Sequence, residues 1–457
     1  MDAISSQPSV AQRLASKVDA IARAGIPAAV RTRVEALLVD VVGLCLAARS
    51  TDYMHAVIGS VDAGAPCTAI GHAGRFGAED AAMINGTAAH GEDFDDTFEG
   101  GPVHSGAVIL PAVLAACERF ERPGSDALLG CAIGVETLCR LSLVRPKAIH
   151  KAGFHPTGVL GAMASTLAVA TTLRLSAQQA TDGLGIAGSM ASGIIEYLAE
   201  GAWTKRLHAG WAARIGLHAA RLGQQGFLGP RTVFEGTHGL LFGFAHGSEG
   251  DYDALLADLG TRWMMLDITF KPYATGTMNQ PYIDCALRLA RHGIAAEEIA
   301  EIVCETAEGY VHRLWEPLAA KQRPANEYAA KFSTPFNVAV AYLTGGAGLS
   351  AFSEANVRDP RILDLASKVR YVIDPHNPYP RQYTGHVRLI LRDGREIEET
   401  QPHIRGGAQE PLTREEIEQK FLRNAAHGQW SESRAAAFLE RIPRFFEQSV
   451  DLADLRA

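Results

Sequence analysis

Three aspartates, a threonine and a histidine share one stretch of this chain, Asp93-Phe94-Asp95-Asp96-Thr97-Phe98-Glu99-Gly100-Gly101-Pro102-Val103-His104. Carboxylates and an imidazole are the groups that take up and return protons, and a glycine-proline break is where a helix must stop and present them. If Asp93 to Thr97 closes a helix, Asp93, Asp96 and Thr97 share one face by their spacing. A helix end with solvated acids and a capping histidine would use the same residues. A second histidine, His155, precedes a proline in Gly153-Phe154-His155-Pro156-Thr157-Gly158. The proline biases it away from helix just before an apolar helical run, so it either projects into a pocket or bonds backbone at the helix start.

Cations complete the set. Lys205 and Arg206, in Trp203-Thr204-Lys205-Arg206-Leu207-His208, open another helical pattern. The helix dipole favours anions at that end, so two cations there suit the binding of a carboxylate, although a solvated basic face would read the same way. Lys271, in Phe270-Lys271-Pro272-Tyr273, falls where the texture of the chain changes. No HExxH, paired CxxC or EF-hand loop offers metal ligands, and no GxGxxG, Walker or GxSxG motif is present. The expectation is therefore acids, bases and anion clamps with no metal and no cofactor.

The elements that must position these groups follow from length and pattern. At 457 residues the chain exceeds the usual size of one core, and 47% hydrophobic with 21% charged residues is the composition of a folded protein. A net charge of −8 without a Lys/Arg run argues against nucleic acid. Seven cysteines without a CxxC pair, and a polar start at Met1 to Gln12, predict reduced thiols and a cytoplasmic protein. Ala152 to Leu173 is apolar enough to raise a membrane span, but its glycines, threonines and His-Pro read as a buried helix, so no membrane partner is expected.

Apolar residues recur at helical spacing to about residue 267, with small residues throughout Gly158–Leu173 and Ala180–Tyr197 and a Ser176/Gln179 capping box. Strands are predicted at Glu301–Thr306 and Lys368–Ile373, and at His386–Leu391 and Glu396–Gln401 around an Asp393-Gly394 hairpin turn. Between the strands lie helical patterns at Gln280–Arg291 and Pro335–Leu343, and two more, Arg414–Ala426 and Glu432–Phe446, end the chain. The prediction is a mainly α protein. A large helical domain built from both chain ends (1–267 and 401–457) encloses in sequence a smaller α+β domain (268–400).

Taken in order, Asn85-Gly86-Thr87-Ala88-Ala89-His90, the Asp93-to-His104 run, Gly153 to Pro156, Thr204 to His208, Phe270 to Tyr273 and Lys331-Phe332-Ser333 resemble the family of 2-methylcitrate dehydratase, cis-aconitate decarboxylase and iminodisuccinate epimerase, the MmgE/PrpD family. The resemblance covers nearly the whole chain. It implies a cleft between two domains, a homodimer, and cofactor-free proton transfer at carbon next to a carboxylate of a small polycarboxylate. It points to Asp93, His104, His155 and Lys205 as catalytic, and to Thr97, His150, Arg206 and Lys271 as substrate-binding, with Asp93 orienting or charging an imidazole.

Two positions depart from the family pattern. Gly276 stands where decarboxylating members place a histidine, and Phe336 where many have tyrosine. These predict negligible decarboxylation of cis-aconitate, a roomier pocket, and a substrate with an apolar or neutral group at that end. A dehydratase-type β-elimination is the leading expectation. An epimerase acting through the same carbanion and a non-catalytic carboxylate binder are the alternatives.

Overall fold

The computed structural model describes residues 7–457. The chain is mainly helical and divides into two compact units, Met1–Ile268 with Arg414–Ala457, and Thr269–Thr413. The second crossing thus falls after Thr413, and residues 401–413, expected with the tail, lie in the α+β unit. Hydrogen bonds explain why: Gln401 Nε2 donates to His403 O (2.8 Å) and to Glu410 (2.7 Å), and Phe270 N donates to Gly406 O (3.1 Å). This segment is folded back on its own strand end.

In the helical unit, helix Pro156–Thr172 is buried at every residue, so it has no polar stripe and serves as a core helix. Helix Thr204–Gln224 packs on it and on helix Ala78–His90. Glycines sit at both crossings. A Cβ on Gly86 would lie 2.7 Å from the Gly210 Cα, and one on Gly210 would run into Met83 O and the Thr87 hydroxyl. Close backbone approach here brings the first turns of one helix against the last turn of another. Gly210→Ala should therefore lower the thermal midpoint by the equivalent of about 1–3 kcal/mol and reduce binding of any ligand held by that first turn. A midpoint equal to wild type would show that the crossing tolerates the methyl group.

Helix Ala177–Met190 carries the predicted capping box, Ser176 accepting from Gln179 N. It stops at Met190, short of the expected Tyr197. Gly193 adopts φ +125°, and the segment bonds sideways instead, with His155 N donating to Gly193 O (2.7 Å) and Ile195 N to Gly153 O (3.0 Å). Helix Gly124–Val144 is long and apolar enough to cross a membrane, yet 94% of that stretch is buried inside the protein.

In the α+β unit a four-stranded sheet runs Val369–Ile373, Ile299–Thr306, Gly385–Leu391, Glu396–Gln401 in spatial order. The first pair is parallel and the other two antiparallel, Ile302 opposite Val369 and Leu389, and Leu389 opposite Ile397. Helices Gln280–Ala290 and Thr334–Thr344 pack together in the same unit.

Candidate functional site

Helix Ala78–His90 ends at His90. Gly91 keeps helical angles against the Tyr53 ring, where a side chain would collide, and Asp93 takes a left-handed φ of +56° that turns the chain out of the helix. The helical face expected for Asp93, Asp96 and Thr97 does not form. The three aspartates instead diverge. Asp93 Oδ1 is 2.6 Å from Lys205 Nζ, Asp95 Oδ2 accepts from His90 Nδ1 at 2.7 Å, and Asp96 takes Ser105 N (3.0 Å), the Ser105 hydroxyl (2.6 Å) and Gly106 N (2.7 Å). The Asp96 carboxyl thus caps the start of helix Gly106–Phe120, a structural task, while burial and the neighbouring Asp95 raise its pKa. The imidazole-orienting carboxylate is Asp95, and Asp93, expected in that role, serves Lys205.

Four imidazoles gather beside these carboxylates. The ring centroids of His90 lie 4.8 Å from His104 and 5.6 Å from His155, and His155 lies 5.4 Å from His208. Each comes from a different element: the end of Ala78–His90, the run before Gly106–Phe120, the cap of Pro156–Thr172, and the second turn of Thr204–Gln224. His104 Nδ1 donates to Asp96 O at 2.8 Å, since a carbonyl can only accept, so in the neutral ring the lone pair is on Nε2. Its 3.4 Å approach to Asp95 Oδ1 is then electrostatic, since the proton is directed elsewhere. His90 likewise spends Nδ1 on Asp95, and its buried Nε2 meets no hydrogen-bond partner among the described residues. A buried acceptor left without a donor is costly, and an ordered water or a ligand group would relieve it.

Burial controls the charges. Burial alone would raise the Asp95 pKa, but His104 and His90 hold it well below the usual carboxylate range. Burial pushes the pKa of His90 down despite Asp95, pushes His155 far down with help from His90 and Lys205, and takes His208 to about 4. A histidine whose pKa is lower folded than unfolded binds fewer protons in the native state, so stability falls as pH drops from the ordinary 6.5 toward 4. The thermal midpoint should decline across that window, and less steeply in His155→Gln. Equal slopes in the two proteins would remove His155 from the acid response.

His90, Asp95 and His104 also place three potential metal-ligand atoms within 4.8 Å of one another. The cofactor-free expectation assigns these groups to proton transfer instead, with both Nδ1 protons directed at oxygen and the Nε2 atoms left to exchange protons. Turnover should survive exhaustive chelation. Activity lost in chelator and recovered with a divalent ion would reverse this conclusion.

The other expected residues are placed variously. Thr97 is buried in the two-residue strand Thr97–Phe98. His150 is half-buried on the short helix Ala148–Lys151 leading into the His155 turn, and the four-ring cluster is defined without it. The Arg206 guanidinium lies 4.4 Å over the Tyr53 ring, beside a groove of about 480 Å³ shared with Trp203 and Trp211. Lys271 is buried in the α+β unit. In that unit the Thr275 hydroxyl and Asn279 Nδ2 both donate to Lys331 O, tying the Phe270–Tyr273 and Lys331–Ser333 segments together.

The two departures read differently in three dimensions. The space a Cβ on Gly276 would enter is bounded by the Phe332 ring at 3.2 Å, so the glycine opens no room. Phe336 is fully buried and packs against Phe352, with ring centroids 6.2 Å apart, and has no surface to meet an apolar substrate group. The expectation of a roomier, less polar pocket is withdrawn on both counts. Beyond the expected set, the structure adds His90, Asp95 and His208 to the cluster. It also adds Lys420 of helix Arg414–His427, buried between Asp40 (2.7 Å) and the Phe94 ring (4.0 Å) and donating to Phe94 O (2.7 Å).

Comparison with known proteins supports a common ancestry for the whole arrangement. Residues 12–253 match the MmgE/PrpD N-terminal domain and residues 273–441 the MmgE/PrpD C-terminal domain. Cis-aconitate decarboxylase from Homo sapiens is 29% identical over 361 residues, 76% of this chain and 72% of the relative. That from Aspergillus terreus is 29% identical over 430 residues, 87% and 85% of the two chains. A cis-aconitate decarboxylase-like protein from Aspergillus oryzae is 25% identical over 473 residues, 98% and 96% of the two. With matches to both of its domains spanning most of the sequence, and its helical unit carrying the imidazole and aspartate cluster, this chain belongs to the MmgE/PrpD family.

Proposed function

We propose that the protein is a lyase that acts on a small polycarboxylate by moving a proton at carbon next to a carboxylate. The observation that carries this reading is the Asp95-oriented His90 with His104, held by the Asp96 carbonyl, beside His155 and the Lys205–Asp93 ion pair. His104 Nε2 has the lone pair needed to accept a proton, and Lys205 is the cation that a substrate carboxylate would meet, in exchange for part of its contact with Asp93. A positive charge there stabilises the enolate-like carbanion that proton removal creates. Elimination of a β-hydroxyl from that carbanion, as in a dehydratase, is the leading course.

Decarboxylation is the second course, favoured by the likeness to cis-aconitate decarboxylases, and return of the proton to the other face, as in an epimerase, is the third. Elimination and epimerisation share the carbanion left by proton removal, whereas decarboxylation makes its carbanion by releasing carbon dioxide and ends with protonation of that carbon. The discriminating experiment incubates the protein with di- and tricarboxylates in heavy water and follows them by NMR. Alkene formation with loss of water supports elimination, carbon dioxide from cis-aconitate supports decarboxylation, and deuterium uptake without loss of mass supports epimerisation. Tight binding with neither exchange nor turnover would replace all three by a carboxylate-binding role.

A further inference from the structure

We propose that His208 is a positioning residue for His155, holding the two rings in opposite tautomers so that the Nε2 of His155 presents a defined face to the substrate. The inference rests on the reading of His155 as a proton-handling group, and adds a residue and a constraint to it.

The contact is between like atoms: His155 Nδ1 and His208 Nδ1 are 3.2 Å apart. Two neutral imidazoles joined in this way have one proton between the facing nitrogens, so one ring is protonated at Nδ1 and the other at Nε2. Burial keeps both rings neutral near pH 7, since it lowers the pKa of each. When His155 donates, its Nε2 has a lone pair and serves as a base; when it accepts, its Nε2 has a hydrogen and serves as an acid. Without a partner at Nδ1, a neutral imidazole distributes its proton over both nitrogens, and part of the population would be in the wrong form.

The surroundings are shaped for this contact. Gly193, at φ +125°, lies against the His208 ring, where a Cβ would come within 3.3 Å of Cγ and Nδ1, and Gly158 faces the His208 Cβ. The Gly193 carbonyl accepts the His155 backbone N–H at 2.7 Å, so one glycine fixes both partners. Tyr197 approaches both rings edge-on, at 6.2 and 5.8 Å between centroids. The early end of the Ala177–Met190 helix, otherwise unexplained by its apolar pattern, is what delivers Gly193 to this place.

The test is ¹⁵N NMR of histidine-labelled protein near pH 7, with signals assigned through single variants. Wild type should show His155 and His208 each in one tautomer, and opposite ones. His208→Phe, which retains a ring in the glycine cradle without the nitrogen, should turn His155 into a tautomer mixture. His208→Asn, whose amide reaches about the position of Nδ1, should restore a single form. With a substrate found in the carboxylate panel, kcat of the Phe variant should fall about 10- to 100-fold, the usual effect of removing an orienting partner, with KM little changed and partial recovery in the Asn variant. The same tautomer in both rings of wild type, or a His155 signal unchanged in His208→Phe, would overturn the proposal. Because the tautomer measurement needs no turnover, it decides about His208 even if the proposed reaction is not found.

Discussion

Turnover by a His104→Asn variant is expected to fall about 10²- to 10⁴-fold, the usual contribution of a general acid or base. Asparagine is the informative replacement because its amide keeps a donor on the Nδ1 side for Asp96 O, at 2.8 Å in the native protein, while deleting Nε2. The fold should therefore survive, and the thermal midpoint should stay close to wild type. His155→Gln should show a similar loss, since burial at 5% exposure comes with a lowered pKa that keeps its lone pair available. Wild-type rates in both variants would mean that the imidazole cluster is a packing feature. A large fall in stability with a proportional loss of activity would mean the same.

Replacing Lys205 should produce the second large effect, in two separable parts. The side chains of Lys205 and Asp93 are only 12% and 6% exposed and meet at 2.6 Å. Lys205→Met takes the ion-pair partner from a buried carboxylate, and breaking a buried pair typically costs about 3–5 kcal/mol of stability. It also removes the cation proposed to face the carbanion, for which a loss of about 10²- to 10³-fold in rate is typical. The double variant Lys205→Met, Asp93→Asn should recover most of the stability and none of the activity. Asparagine is chosen because it tolerates the left-handed backbone of residue 93, at φ +56°. Recovery of turnover along with stability would show that Lys205 only neutralises Asp93.

Much of the framework was legible before any coordinates. Alternation and the Asp393-Gly394 turn located strands that the structure places at Gly385–Leu391 and Glu396–Gln401. The Ser176/Gln179 spacing located a helix start because capping is a contact between near neighbours. The roles inside the aspartate run were not legible, since they depend on the left-handed turn at Asp93 and on partners such as Lys205 from a distant part of the chain. His90 and His208 stood in motifs and still had no assigned task, because Asp95 and His155 reach them only through folding. Gly276 looked like an opening for a related reason: its neighbour Phe332 is far away in sequence.

Lys420 gives the assembly a timetable. The histidines and aspartates of the cluster all precede residue 209, yet the carbonyl of Phe94, within their loop, is gripped by a lysine on helix Arg414–His427. During synthesis the whole α+β unit, Thr269–Thr413, must be made before that lysine exists. A nascent chain can therefore pack its early helices while the Asp93–Asp96 loop still lacks its fastening. The cluster is therefore fastened only after Lys420 has been added, and a chain stopped at Thr413 would have every residue of the cluster without that contact.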